Sequence, residues 1–295
     1  MRVIKPVTFN AGTHLVSSTA VETAAAWASG TTYAKDAVVD FGTFYWISLV
    51  NNNTGNTPSS SPTQWALVGP DNVHAMFDEQ VSTATASTSP LTVVLTPGAV
   101  NALALLGLVG EQVVVTVTDG AGGPTVYSRT VSLDGTLIAD WYQYFYEPYV
   151  QIAEVVLTDL VPISTARLTI ALTGTGTIKI GNCSFGTQYA IGDAEYGAGL
   201  GIIDYSKKET DEFGITTFVR RDFSKRLSAR LMLENAQINR VSRLLSDLRA
   251  TPAVWILADE AEYQAGTVYG FFRDFNVEIA YPVQSFVSLE IEGLT

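Results

Sequence analysis

The stretch Asn235-Ala-Gln-Ile-Asn-Arg-Val-Ser-Arg-Leu-Leu-Ser-Asp-Leu-Arg249 decides the fold of the C-terminal third. Ile238, Val241, Leu244, Leu245 and Leu248 recur at three- and four-residue steps, which puts them on one face of a helix. Arg240, Arg243, Asp247 and Arg249 fall mostly on the other. Asn235 is placed to cap the start, and Thr251-Pro252 stops the end, because the residue before a proline is pushed out of the helical region. Upstream, Leu227, Ala229, Leu231 and Leu233 alternate with Arg226, Ser228, Arg230 and Met232, the period of a half-buried strand. Downstream, Val254 to Leu257 reads as a short buried strand. Val287, Leu289 and Ile291 alternate with Ser288, Glu290 and Glu292 in a last one. One amphipathic helix on a mostly antiparallel sheet is an α+β layer arrangement.

Working outward, the chain of 295 residues has room for two or three domains. Its start, Met1 to Phe9, is strand-like in Val3, Pro6, Val7 and Phe9. It either adds a strand to the C-terminal sheet or forms an arm, and residues 1–26 are taken as one segment. Residues 27–70 are rich in aromatics, with turns at Gly30, Gly42 and Gly55. So small a unit without disulfides needs large rings for its core. Tyr45 and Trp46, adjacent on a strand, are expected to face opposite sides, one inward and one outward. Residues 71–196 read as all-β, a sandwich of jelly-roll type. Its strand candidates are 91–95, 112–118, 125–133, 150–157, 167–173 and 177–185, with turns at Asp119-Gly120, Gly122-Gly123 and Asp134-Gly135. A short helix is expected within 96–109. Residues 197–295 form the α+β unit. The fold class is therefore mainly β with an α+β C-terminal domain.

The formal charge is −12. Residues 71–197 hold three basic side chains (Arg129, Arg167, Lys179) against twelve acidic ones. A field of that sign argues against nucleic acid and against anionic membranes as partners. Cys183 is the one cysteine, so a disulfide within the chain and a cysteine-based zinc site are excluded. No run reaches the roughly 18 apolar residues of a membrane span, and the start lacks the apolar run of a signal peptide. The expectation is a protein made in the cytoplasm, with no membrane insertion.

Catalytic chemistry has little to work with. The two histidines, His14 and His74, are far apart in sequence, and no Gly-x-Ser-x-Gly elbow, Walker loop or calcium loop of the helix-loop-helix kind is present. No tight carboxylate cluster is visible in the sequence to hold a metal. Asp259-Glu260 with Glu262 reads as a solvated loop, a calcium site being the minor alternative. Not an enzyme, no cofactor and no metal are the expectations. The run Asp140-Trp-Tyr-Gln-Tyr-Phe-Tyr-Glu-Pro148 crowds five aromatics into nine positions. Either its rings close one end of the sandwich, or they form a recognition patch. Lys207, Lys208, Arg220, Arg221, Lys225 and Arg226 cluster near Glu209, Asp211 and Glu212 on adjacent strand ends. Such mixed signs suit a head-to-tail ring, or simply a solvated surface.

Several stretches carry a resemblance. Trp27-x2-Gly30-x2-Tyr33, Val39-x-Phe41-Gly42-x2-Tyr45 and Pro62-x2-Trp65-x2-Val68 together resemble the small chitin- and cellulose-binding modules of chitinases and phage tail proteins. Asp36-Ala37 stands where that pattern has Gly-Asp, and Leu49-Val50 where it has a surface aromatic. The 71–196 segment resembles the galactose-binding-like jelly rolls that accompany such modules. The runs 201–214, 218–226 and 244–255, with Gly69 to Asn72 and Ala75 to Asp78, resemble tail-tip (distal tail or baseplate) proteins of long-tailed phages. The resemblance implies a virion component at the tail tip. It implies a ring homo-oligomer contacting other tail proteins through Lys207, Lys208, Arg220, Arg221 and Arg226. It implies host cell-surface polysaccharide as a ligand, with Trp27, Tyr33, Trp46, Trp65, Trp141 and Tyr142 as stacking candidates. Core packing remains the other reading of the module's rings. A carbohydrate-binding fragment of a glycan-degrading enzyme, or a scaffold with no ligand, are the alternatives for the whole chain.

Overall fold

The computed structural model describes residues 1–136, 138–258 and 265–294. The acidic trio Asp259, Glu260 and Glu262 lies outside the described residues. The protein is mainly β, with curled antiparallel sheets and one substantial helix. It divides into two compact units: 1–7 with 184–295, and 8–183. This partition differs from the four sequence segments. The aromatic module and the sandwich share a unit, and 184–196 belongs with the C-terminal sheet.

The first unit is built on a long antiparallel sheet. In order, its strands are the later part of Asn182–Ala190, then Arg2–Pro6, Ala253–Ile256, Thr267–Glu278, Gln284–Gly293 and Phe223–Glu234. Asp193–Ala194 and Gly199–Asp204 both pair with Phe223–Glu234. Arg2–Pro6 is thus an interior strand, hydrogen-bonded on both sides, and not an arm. The alternation in 227–233 and 287–291 places Leu227, Leu231, Leu233, Val287, Leu289 and Ile291 inside. The helix Ile238–Asp247 lays Val241, Leu244 and Leu245 on that face. Burying each such side chain contributes about 1.5–3 kcal/mol, so one greasy helix face fixes the layer. Asn235 does not cap the helix. A 3-10 turn, Asn235–Gln237, precedes it, and the cap position falls on Gln237 without a side-chain bond. Asn235 instead donates Nδ2 to Tyr281 O at 2.9 Å and accepts from Ser285 Oγ at 2.5 Å, tying the turn at 279–285.

Trp255 is fully enclosed and donates Nε1 to Gly270 O at 3.0 Å. Glycine is required at 270 because a Cβ there would run into Glu292 O on the neighbouring strand.

The second unit contains a five-stranded sheet: Thr125–Ser132, Gln112–Asp119, Ala166–Thr173, Leu91–Leu95 and Leu15–Ser18. Val113, Val115 and Val117 share its buried side with Leu168, Ile170 and Leu172. Ala102–Leu106 pairs with Glu154–Leu157, and Thr85–Ser87 with Ile178–Ile180. Ala102–Leu106 corrects the helix expected within 96–109. All five of its residues are buried, so the strand shows no alternation, and a fully apolar run does not by itself distinguish strand from helix. The aromatic module is a three-stranded sheet, Val38–Phe41, Phe44–Ser48 and Trp65–Pro70, beside the short pair Thr32–Tyr33 and Asn53–Thr54. Tyr45 and Trp46 are both half-buried, so neither is the expected core ring or the expected exposed ring, and the pairing with Trp65–Pro70 shifts register between them.

Gly186 faces Pro6 in the sheet, and a Cβ there would press into the Lys5 carbonyl. Gly186→Ala is expected to lower stability by on the order of 3 kcal/mol. Gly201→Ala, where a Cβ meets nothing within 4 Å, should leave the thermal midpoint near that of the parent. Thermal unfolding of the two variants side by side checks this.

Candidate functional site

Several rings of the aromatic module pack on one another. Trp65 is 2% exposed and donates Nε1 to Asn56 O at 2.9 Å. Tyr33 meets it edge-on, with ring centres 5.3 Å apart, and accepts Ala28 N at 2.8 Å. Trp27 packs edge-on against Phe41 at 5.4 Å. Trp46 donates Nε1 to Phe41 O at 3.3 Å. Trp65 therefore offers no face to a sugar and leaves the stacking candidates. Trp27, Tyr33 and Trp46 present only part of theirs. The module's exposed apolar side chains are others, Phe44, Leu67 and Val68 among them.

The 140–148 run is different. Trp141–Tyr146 is a short helix. Asp140 caps it, with Oδ1 accepting Gln143 N at 2.8 Å, and Gln143 Oε1 accepts Ala139 N at 2.7 Å. The base is fastened to the sandwich. Gly135 N donates to Val150 O at 2.8 Å, Ile152 N to Leu133 O at 2.8 Å, and Gln151 Nε2 to Leu108 O and Gly110 O at 3.1 Å each. The rings do not close the sandwich. Trp141 is 79% exposed, and Tyr142, Tyr144, Phe145, Tyr146 and Tyr149 are exposed with it. They touch one another instead: Trp141 with Tyr144 at 6.1 Å, Tyr142 with Tyr146 at 4.8 Å, Tyr144 with Phe145 at 5.1 Å. This is a cluster of stacking faces on an anchored base, with Asp140 and Glu147 beside it and no cation within the run. It can bind flat, weakly polar surfaces such as sugar rings or apolar protein faces.

Of the interface candidates, Lys207 and Lys208 lie on a hairpin, Lys207–Thr210 paired with Thr216–Val219, and Arg220, Arg221 and Arg226 follow it in the chain. All eight strand residues are exposed. Lys207 pairs with Glu209 at 2.8 Å and Arg226 with Glu290 at 2.9 Å. These exposed pairs lie within the chain and contribute little, so Lys207 and Arg226 have acidic partners already at hand. Lys208, Arg220 and Arg221 are exposed on the same arm. The larger feature is apolar: Phe213 is 88% and Phe218 73% exposed, joined by Ile202, Ile215 and Phe223. The charges in this stretch draw the eye in the sequence, whereas Phe213 and Ile215, which flank the Gly214 turn, and Phe218 beyond them carry the apolar signal.

The fold also makes a carboxylate cluster that the sequence search does not find. Glu22, Asp40 and Asp71 bring one oxygen each within 4.8 Å of one another. Glu22 Oε2 accepts Asn72 N at 2.9 Å and the Tyr45 hydroxyl, and Oε1 accepts Val73 N at 3.0 Å. Asp71 Oδ1 lies 2.6 Å from His74 Nδ1. Donors on the protein thus already serve Glu22 and Asp71, which argues against a ready-made cation cage. His14 and His74, distant in sequence, both lie against the Phe9 ring, at 6.1 and 6.4 Å.

No protein-family model matches this chain, and no curated protein matches it.

The exposure pattern has a direct optical consequence. Trp65 and Trp255 are enclosed, Trp27 and Trp46 are half-buried, and Trp141 is open. Trp141→Phe is expected to remove most of the acrylamide-quenchable, red-shifted tryptophan emission. A variant that keeps that component would show the 141–146 rings to be covered in solution.

Proposed function

We propose that this chain is a structural component of a phage tail tip or baseplate. Its first unit joins copies of itself and neighbouring tail proteins, and its second presents a glycan-binding surface to the host. The observation that carries the reading is the arm at 207–219. A two-stranded hairpin is marginal in water; among the described residues no third strand joins this one, and it exposes Phe213, Ile215 and Phe218 instead of covering them. Such a feature gains order and buries apolar area when a partner lies over it. The resemblance of 201–214, 218–226 and 244–255 to tail-tip proteins supports the choice of partner. The exposed aromatic cluster at 141–146 supports the attachment role, where weak stacking at each copy is multiplied on an oligomer. Catalysis has no part in the reading, and neither does a cofactor.

Two experiments test it. On sizing chromatography the parent should elute as an oligomer. Phe213→Ser with Phe218→Ser should shift it to the monomer, while Lys207→Ala with Arg226→Ala should not. In a polysaccharide pull-down, Trp141→Ala with Tyr142→Ala should weaken retention about ten-fold, equivalent to roughly 1.4 kcal/mol, and Trp65→Phe should not. A parent that is monomeric and cleaves glycan sinks the proposal.

A further inference from the structure

The aromatic module interrupts the chain between residues 26 and 71, so one segment leads in and another leads out. Glu22 stands on the incoming segment and Asp71, Asn72 and His74 on the outgoing one. Asp40 belongs to the module's first long strand, Val38–Phe41, and Tyr45 faces it across the sheet. Glu22 clamps the outgoing backbone at Asn72 and Val73. Asn72 reaches back, donating Nδ2 to Val21 O at 2.8 Å and to Ala86 O at 2.8 Å. The junction is therefore closed by hydrogen bonds that run through a carboxylate.

Asp40 is set against this arrangement. Its Oδ1 is buried and meets no donor. Asp71, itself 2% exposed, and Glu22 lie beside it. The charged groups acting on Asp40 are Asp71 and Glu22, which repel its anion, and His74, which opposes them. Tyr45 gives its hydroxyl to Glu22 and not to Asp40. Three carboxylates thus share one partly buried spot, and only one of them lacks a donor. Like charges this close are relieved when one of the groups takes up a proton.

We propose that the junction is a proton-sensitive clasp: a proton on Asp40 relieves the crowded carboxylates and tightens the seat of the 27–70 module, and its loss strains that seat. The inference stands apart from the tail-tip reading and holds whatever the chain attaches to. Burial first, then Asp71 and Glu22, raise the Asp40 carboxyl above its ordinary range. The sign follows from linkage. A carboxyl that holds its proton more tightly folded than unfolded makes the fold more stable as pH falls through its folded value. That gain is complete once the unfolded value, about 3.9, is passed.

The test uses the full chain with a chelator present, so that no cation screens the carboxylates. Thermal midpoints of the parent and of Asp40→Asn are compared from neutral pH downward. The variant should melt several degrees higher at neutral pH, and the gap should close as the pH falls toward the carboxylate range. A gap that is absent, reversed or independent of pH overturns the clasp. Carbon-detected NMR titration of the Asp40 carboxyl provides a second reading if Asp40→Asn folds poorly. Its midpoint should lie above the ordinary aspartate range in the parent and fall in Asp71→Asn. An ordinary midpoint in the parent, or one unmoved by Asp71→Asn, also overturns it.

Discussion

The first unit depends on the pairing of Arg2–Pro6 with strands far away in sequence. Val3 and Ile4 have no exposed surface, and the backbone at 2–4 is paired on both sides, with 188–190 and with 254–256. An interior strand satisfies two rows of backbone groups, and removing it would leave two rows without partners. Because Arg2–Pro6 pairs with strands more than 180 residues further along, the sheet cannot close until the chain from 184 onward is present. The chain leaves the sheet after Arg2–Pro6 and returns beside that strand only in Asn182–Ala190. Long-range closure of this kind is slow compared with local pairing, and it lets a large second unit be carried without adding to the first unit's core.

That arrangement explains where recognition surfaces appear. The enclosed large side chains are core, and Trp65 and Trp255 each spend their indole N–H on a backbone carbonyl. Apolar surface is left open at 141–146 and on the 207–219 arm. The 141–146 rings stand on a base fastened by Gly135, Gln151 and Ile152. The 207–219 arm continues the Gly199–Asp204 and Phe223–Glu234 pairing outward. Exposed ion pairs such as Lys207–Glu209 tune these surfaces weakly, since their attraction is screened and offset by side-chain ordering. Exposed phenylalanines keep their full incentive to be covered.

Periodicity made part of this legible. The 238–248 helix and the strands at 227–233 and 287–291 announce themselves because each has one wet and one dry face, and the alternation survives in the sequence. Ala102–Leu106 did not, because burial on both faces erases the pattern that distinguishes strand from helix. Asn235 looked like a cap because its type suits one, whereas its position lets it reach the 279–285 turn, a tertiary contact no local rule contains. The module's rings could be assigned to core or ligand only once neighbours were known, and Trp65 proved to be core while Trp141 proved open. The carboxylate cluster was invisible because its members stand at positions 22, 40 and 71, and only the strand pairing of the module brings them together.

The cluster shows why an inserted module has an electrostatic problem at its neck. Its two ends, fifty residues apart from Glu22 to Asn72, must be held together against the entropy of the chain between them. Closing a loop of that length costs several RT, growing only slowly with length, so a few good hydrogen bonds suffice. A carboxylate accepting two backbone N–H groups and a phenol is a strong way to supply them, because bonds to an ionised acceptor are stronger than neutral ones. The same choice concentrates negative charge where the incoming segment, the outgoing segment and the module's first long strand meet. Asp71 meets the demand by pairing with His74, and Asp40 is left with a buried oxygen and no donor. The bonds that close the neck run through Glu22, and the charge they gather there is what makes the unserved Asp40 respond to protons.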